Sequence, residues 1–166
     1  MFNPEAIEAA LFTLVCNAVS AFPFVTKSRH PKVWPNIDPK DQPALFLVPT
    51  RWVPTQPQAY GITRFELEYV VLVYTRADAA GYPPNPAGTP IIPQQLLNQA
   101  GLAIFNAVRG KPTNPTQAAT WQPHGEKQTL GGLVENAWMD GAVTIQAGVL
   151  DVQCAMELPI HVVTGD

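Results

Sequence analysis

The chain has 166 residues, 46% of them hydrophobic and only 14% charged, with a formal net charge of -3. A chain of that length buries most of the surface it exposes when unfolded, so one domain spanning residues 1–166 is expected. The acidic balance excludes a protein that wraps nucleic acid over its whole surface, because phosphate neutralisation needs clustered Lys and Arg. A charged share well under the roughly 25% of ordinary soluble domains leaves much neutral surface, which suits subunit contacts.

Met1 to Glu5 lack the basic start and cleavage site of a secretory signal, and no stretch reaches the about 18 uninterrupted apolar residues of a membrane span. A protein made in the cytoplasm, with no membrane partner, is expected. Asn3 can cap a helix, Pro4 suits its first position and Glu5 favours its dipole. Ile7, Leu11, Leu14, Val15 and Ala18 continue as an apolar stripe to about Ser20, before Phe22-Pro23-Phe24 breaks the pattern. Lys27 to Pro43, punctuated by proline and charge, reads as an ordered loop. Ala44 to Val48 reads as a short buried strand closed by Pro49, and Pro49 to Gly61 as a turn-rich loop.

Ile62 to Thr75 carries the strongest strand signal. Phe65, Leu67, Tyr69, Val71 and Val73 share one face; the other begins with Arg64, Glu66 and Glu68 and turns apolar at Val70, Leu72 and Tyr74. A loop over Asp78 to Pro90 leads to a second helix from about Ile92 to Arg109-Gly110, with Leu97, Ala100, Ile104 and Val108 on its stripe. Lys111 to Gln128 forms a long excursion. Thr129 to Gly132 makes a turn, Leu133 to Met139 a strand, and Asp140-Gly141 a second turn. Val152 to Val162 alternates as a strand in which Pro159 fits best at an edge or bulge. Cys16 on the first helix and Cys154 at an inward strand position suit small buried hydrophobes better than a disulfide. The expected fold class is α+β, a largely antiparallel four- to five-stranded sheet with two helices packed on one face and long Pro-rich loops.

The chemistry is sparse. His30, His124 and His161 lie in separate segments without a partner at metal-ligand spacing. No nucleophile elbow, phosphate-cradling glycine loop or HExxH is present, so no catalytic, cofactor-binding or metal site is expected. Glu66 and Glu68 share a strand face and could act as paired carboxylates, yet an exposed face needs polar residues anyway; Asp38 with Asp41 is weaker still. Lys27, Arg29, His30 and Lys32, with Trp34 beside them, form the densest positive charge, able to meet a phosphate backbone or an acidic partner.

The N-terminal helix with a Trp-containing basic loop, the phrase Asp41-Gln42-Pro43-Ala44-Leu45-Phe46-Leu47, the strand Phe65 to Tyr74, the helix with Leu96-Leu97-Asn98, and Thr129-Leu130-Gly131-Gly132-Leu133-Val134 leading to Trp138 span most of the chain. In their order and spacing they resemble the tail terminator, or minor tail protein U-like, family of long-tailed bacteriophages. The resemblance implies a structural virion protein at the tail-neck junction and not an enzyme. It would form a homo-oligomeric, hexameric ring that caps the tail tube, ends tail polymerisation and offers the head-tail joining surface. Its partners would be the tail tube protein and the head-tail connector or neck proteins, with non-specific contact to passing DNA at the basic segment. Contact candidates are Lys27, Arg29, Lys32, Trp34, Arg51, Trp52, Tyr82, Lys111 and Trp121, drawn from the basic cluster and the loops 49–61, 79–90 and 111–128. A head-completion or neck connector shares size, loops and ring assembly, and a small hydrolase would need a polar pocket around His124 or His161.

Overall fold

The computed structural model describes residues 2–57, 63–76, 82, 91–109, 127–150 and 153–164. Helix α1 (Pro4–Ala18) starts where Asn3 accepts a hydrogen bond from the Ala6 amide at 3.1 Å. Among the described residues helix α2 (Pro93–Val108) is the second, and six strands follow the order β1 (Thr26–Ser28), β2 (Ala44–Pro57), β3 (Thr63–Arg76), β4 (Asn136–Met139), β5 (Thr144–Leu150) and β6 (Gln153–Val163). They build one sheet ordered β1-β2-β3-β6-β4, with β5 also paired to β6. Every pairing is antiparallel except β1 with β2. The α+β class therefore stands, with six strands instead of four to five.

Both helices share one core with one face of the sheet. Ile7, Leu11 and Val15 of α1 and Leu97, Ala100, Ile104 and Val108 of α2 join Leu45, Leu47, Leu67, Tyr69, Val71, Val73, Met156, Leu158, Ile160 and Val162. Each Leu or Ile so buried contributes roughly 2 kcal/mol, so the apolar stripe holds the helices more than helix propensity does. Cys154 is buried and Cys16 half-buried; both are free thiols.

Two expectations need correction. Pro49 to Pro57 is not a loop but the second half of β2, paired with β3 through to Pro57↔Thr63. The register slips between Pro49 and Arg51 and between Pro54 and Gln56, and each time a threonine follows the proline. The Thr50 hydroxyl donates to the Glu68 carbonyl at 2.9 Å and the Thr55 hydroxyl to the Arg64 carbonyl at 3.2 Å. These hydroxyls supply donors to β3 where proline has none, and β1 covers β2 only over Ala44–Phe46, so the later prolines interrupt no second ladder. Likewise Lys27 to Pro43 is not all loop, because Thr26–Ser28 adds the parallel edge strand.

Pro159 lies inside the sheet, opposite Val70 of β3. On its other side it faces the gap between β4, which pairs from Ile160 onward, and β5, which pairs up to Glu157. Its carbonyl accepts from the Asp140 amide at 3.3 Å, and its missing N–H points into that gap, where no strand needs it.

Tyr69 is 1% exposed, and its hydroxyl has no hydrogen-bond partner among the described residues. Burial, reinforced by Glu8 and Glu5, pushes the phenol's pKa well above its usual value. Tyr69→Phe removes a desolvated polar group and is expected to stabilise the fold by about 1 kcal/mol, read as a rise of roughly 2 to 4 °C in Tm. The folded state holds the phenolic proton more tightly than the unfolded chain does. Wild-type stability should therefore be full below about pH 10 and fall as pH rises further, and the Phe variant should lack that component.

Candidate functional site

The sheet face away from the helices is divided along its length. At one end Ala44, Phe46, Tyr74 and Ala155 form a small apolar cluster covered by Ile37, which lies between the 3-10 turns Trp34–Asn36 and Pro39–Asp41. The Gln42 amide donating to the Ile37 carbonyl, the Thr26 hydroxyl donating to the Asp41 carbonyl at 2.8 Å, and Asp38 capping the Lys40 amide at 3.1 Å fix this cover. The basic segment is thus an ordered flap on the sheet.

Its charge is partly consumed at home. Arg29 donates to Glu5 at 2.6 Å and lies 3.8 Å from Glu8, both on α1, and Lys40 pairs with Asp38 at 3.1 Å. The hydrogen bond that Arg29 donates to Glu5 raises its pKa above the ordinary value. Lys27 is half-buried on β1, Lys32 is exposed, and Trp34 opens the first 3-10 turn. Arg51 and Trp52 sit on β2; Arg51 reaches Glu68 at 3.6 Å, and Trp52, 52% exposed, meets Phe2 edge-on while Phe2 stacks on Phe65. Tyr82 pairs its backbone with Ile91, and its hydroxyl accepts from the Arg76 amide at 2.7 Å. Lys111, Trp121 and His124, with nearly all of the 79–90 and 111–128 segments, lie outside the described residues.

The other end of the outer face is polar. His161 of β6 stacks on Trp138 of β4, ring centroids 4.8 Å apart, with Nε2 3.5 Å from Glu66 and Nδ1 3.8 Å from Asp140. Beside it Thr50, Glu68, Tyr69, Val70, Asp140, Gly141, Pro159, Ile160 and His161 line an open cavity of about 350 Å³. Glu66 and Glu68 are drawn apart, one to His161 and the other to Arg51, so they do not form a paired-carboxylate site. Thr50, the described lining residue whose hydroxyl lies on this face, is engaged with the Glu68 carbonyl, while the Tyr69 side chain points into the core on the opposite face. No group of three or more His, Cys, Asp or Glu among the described residues is placed to hold a metal ion, and no described helix is long and apolar enough to cross a membrane.

The exposed large apolar side chains among the described residues include two pairs close in sequence. Leu102 and Phe105 stand on the outer side of α2, 61% and 40% exposed, and Val143 and Ile145 lie at the start of β5, 42% and 44% exposed. None of these four was singled out from the sequence, although Leu102 and Phe105 fall visibly off the stripe of Leu97, Ala100, Ile104 and Val108. Trp138 and Asp140 were also missed as members of a polar cluster, because only strand pairing brings them to His161. Comparison with protein-family models and with curated proteins finds no match to this chain.

Proposed function

We propose that this chain is a structural virion protein of a long-tailed bacteriophage, a tail terminator whose subunits close a ring on the tail tube, end its polymerisation and present the head-tail joining surface. The observation that carries the reading is the pair of unlike apolar patches, Leu102 with Phe105 on α2 and Val143 with Ile145 at β5. A ring needs two different surfaces per subunit that meet head to tail and close under rotation. A low charge density lowers the desolvation cost of covering them. The chain then works by shape and contact, without catalysis or cofactor, with itself, the tube protein and the neck proteins as partners.

The test is the mass of the full-length protein by light scattering, alone and mixed with tail tubes of its phage. A hexamer, or a ring that co-sediments with tube ends, is expected. A monomer that ignores tubes would overturn the reading, and binding to DNA-filled heads in place of tubes would make the protein a neck connector.

A further inference from the structure

None of the 16 residues of α2 is charged. Its buried stripe meets the sheet, and the opposite, exposed face carries Gln95, Asn98, Gln99 and Asn106 around Leu102 and Phe105. Gly101 packs towards Met156 of β6, so this outer face turns away from the subunit's own sheet. Among the described residues Gln95, Gln99 and Asn106 have no hydrogen-bond partner, and Asn98 only accepts, from Gln94 at 3.3 Å. A side-chain amide holds a carbonyl acceptor and N–H donors, the same functions that a backbone edge leaves open.

The sheet has such an edge at β5, which pairs with β6 and with no other described strand. The neighbouring stretch is closed: the Ala137 amide of β4 donates to the Gln128 carbonyl at 2.9 Å, and the Gln128 amide donates to Asn136 Oδ1 at 3.1 Å. On the far side of the sheet, β2 beyond Phe46 is guarded by Pro49, Pro54, Pro57 and two register slips. Strand β5, Thr-Ile-Gln-Ala-Gly-Val-Leu, has neither proline nor charge to guard it. Its own register slip, between Gln146 and Leu150, leaves only Thr144 to Gln146 as regular edge, short for an added strand but sufficient for side-chain donors and acceptors. We infer that the amide face of α2 in one copy caps the β5 edge of a second copy. Its amides exchange hydrogen bonds with the unpaired backbone there, while Leu102 and Phe105 cover the exposed Val143 and Ile145. Neither surface carries a charge, so an acidic or basic partner finds no counter-ion on either, whereas each supplies what the other lacks. The contact rests on the ring reading for its partner, a copy of the same chain.

The full-length chain is followed by light scattering in a dilution series and by amide hydrogen exchange, wild type beside Gln99→Leu with Asn106→Leu. Leucine is as good a helix former as glutamine and a better one than asparagine, and both sites are exposed, so the variant folds. It is also more apolar, and a contact made by apolar burial alone would tighten. Capping gives the reverse: backbone groups covered without a partner weaken association about tenfold for each lost amide, about a hundredfold for the pair. The outward amides among Thr144 to Gln146 should exchange more slowly in the assembly than in the dilute subunit, and lose that protection in the variant. Equal or tighter assembly of the variant would overturn the cap while leaving a wild-type hexamer, and the ring reading, in place. A wild-type dimer or open chain that the variant weakens would keep the cap and sink the ring reading. Protection of β5 already complete in the dilute subunit would overturn the cap, because the chain would then cover its own edge. A protein monomeric at every concentration would overturn both.

Discussion

Leu102→Lys together with Phe105→Lys is expected to abolish ring assembly while leaving the subunit folded. Both positions are on the outer face of α2, 61% and 40% exposed, so little packing is lost. The last turn of α2 carries no basic residue, and the lysine at 105 complements the carbonyl end of the helix dipole, so the subunit should melt within a few degrees of wild type. At a subunit contact the same two ammonium groups would be desolvated without partners, at several kcal/mol each. Association should weaken by at least about a hundredfold, from hexamer to monomer in a light-scattering dilution series. Val143→Lys with Ile145→Lys should do the same from the other side. Mixing the two double variants then discriminates sharply: each keeps one intact patch, so a head-to-tail interface allows a dimer and no ring. Wild-type assembly by both double variants would rule out these patches as the contact.

The second large effect is expected inside the core, at Gly101→Val. Helix α2 lies so close to β6 that a Cβ at residue 101 would stand 2.7 Å from the Met156 sulfur and 3.1 Å from its terminal methyl. Alanine is the mild case. The thioether is the far end of a flexible chain and can swing aside, and Gly to Ala in a helix gains about 1 kcal/mol of propensity, so Gly101→Ala should come out near neutral. Valine adds two branched methyls against a strand that also presents Leu158 at 3.8 Å, and the helix must lift. Overpacking of that kind costs about 2 to 3 kcal/mol, a fall of roughly 5 to 10 °C in Tm. Combining it with Met156→Ala should recover part of the loss, because the second change vacates the space the first one fills. Additive losses in the double variant would show that Met156 is not the obstacle.

Much of the architecture was legible from patterning. Asn3-Pro4-Glu5 announced α1, the stripe Leu97, Ala100, Ile104 and Val108 announced α2, and the two unlike faces of β3 forecast a core side and an outer side that starts polar and ends apolar. These signals are local: capping and periodicity act within a few residues, so they survive without knowledge of neighbours. Proline misled where its meaning depended on a partner strand. At Pro49 and Pro54 it marked bulges bridged by Thr50 and Thr55, and the five-residue repeat of Pro-Thr was the available clue.

The amino-acid order by itself determined both helices, the long strands β3 and β6, their buried faces and the scarcity of catalytic motifs. Only the tertiary structure decided what the charges do. Arg29 appears in sequence as part of a basic cluster, but folding sets it against Glu5 and Glu8 of α1, 24 and 21 positions away. His161 has no chemical neighbour in sequence, yet strand pairing places it on Trp138 and between Glu66 and Asp140. Coulombic and hydrogen-bond partners are chosen by distance in space, which the order of β3, β6 and β4 in the sheet sets and local pattern does not.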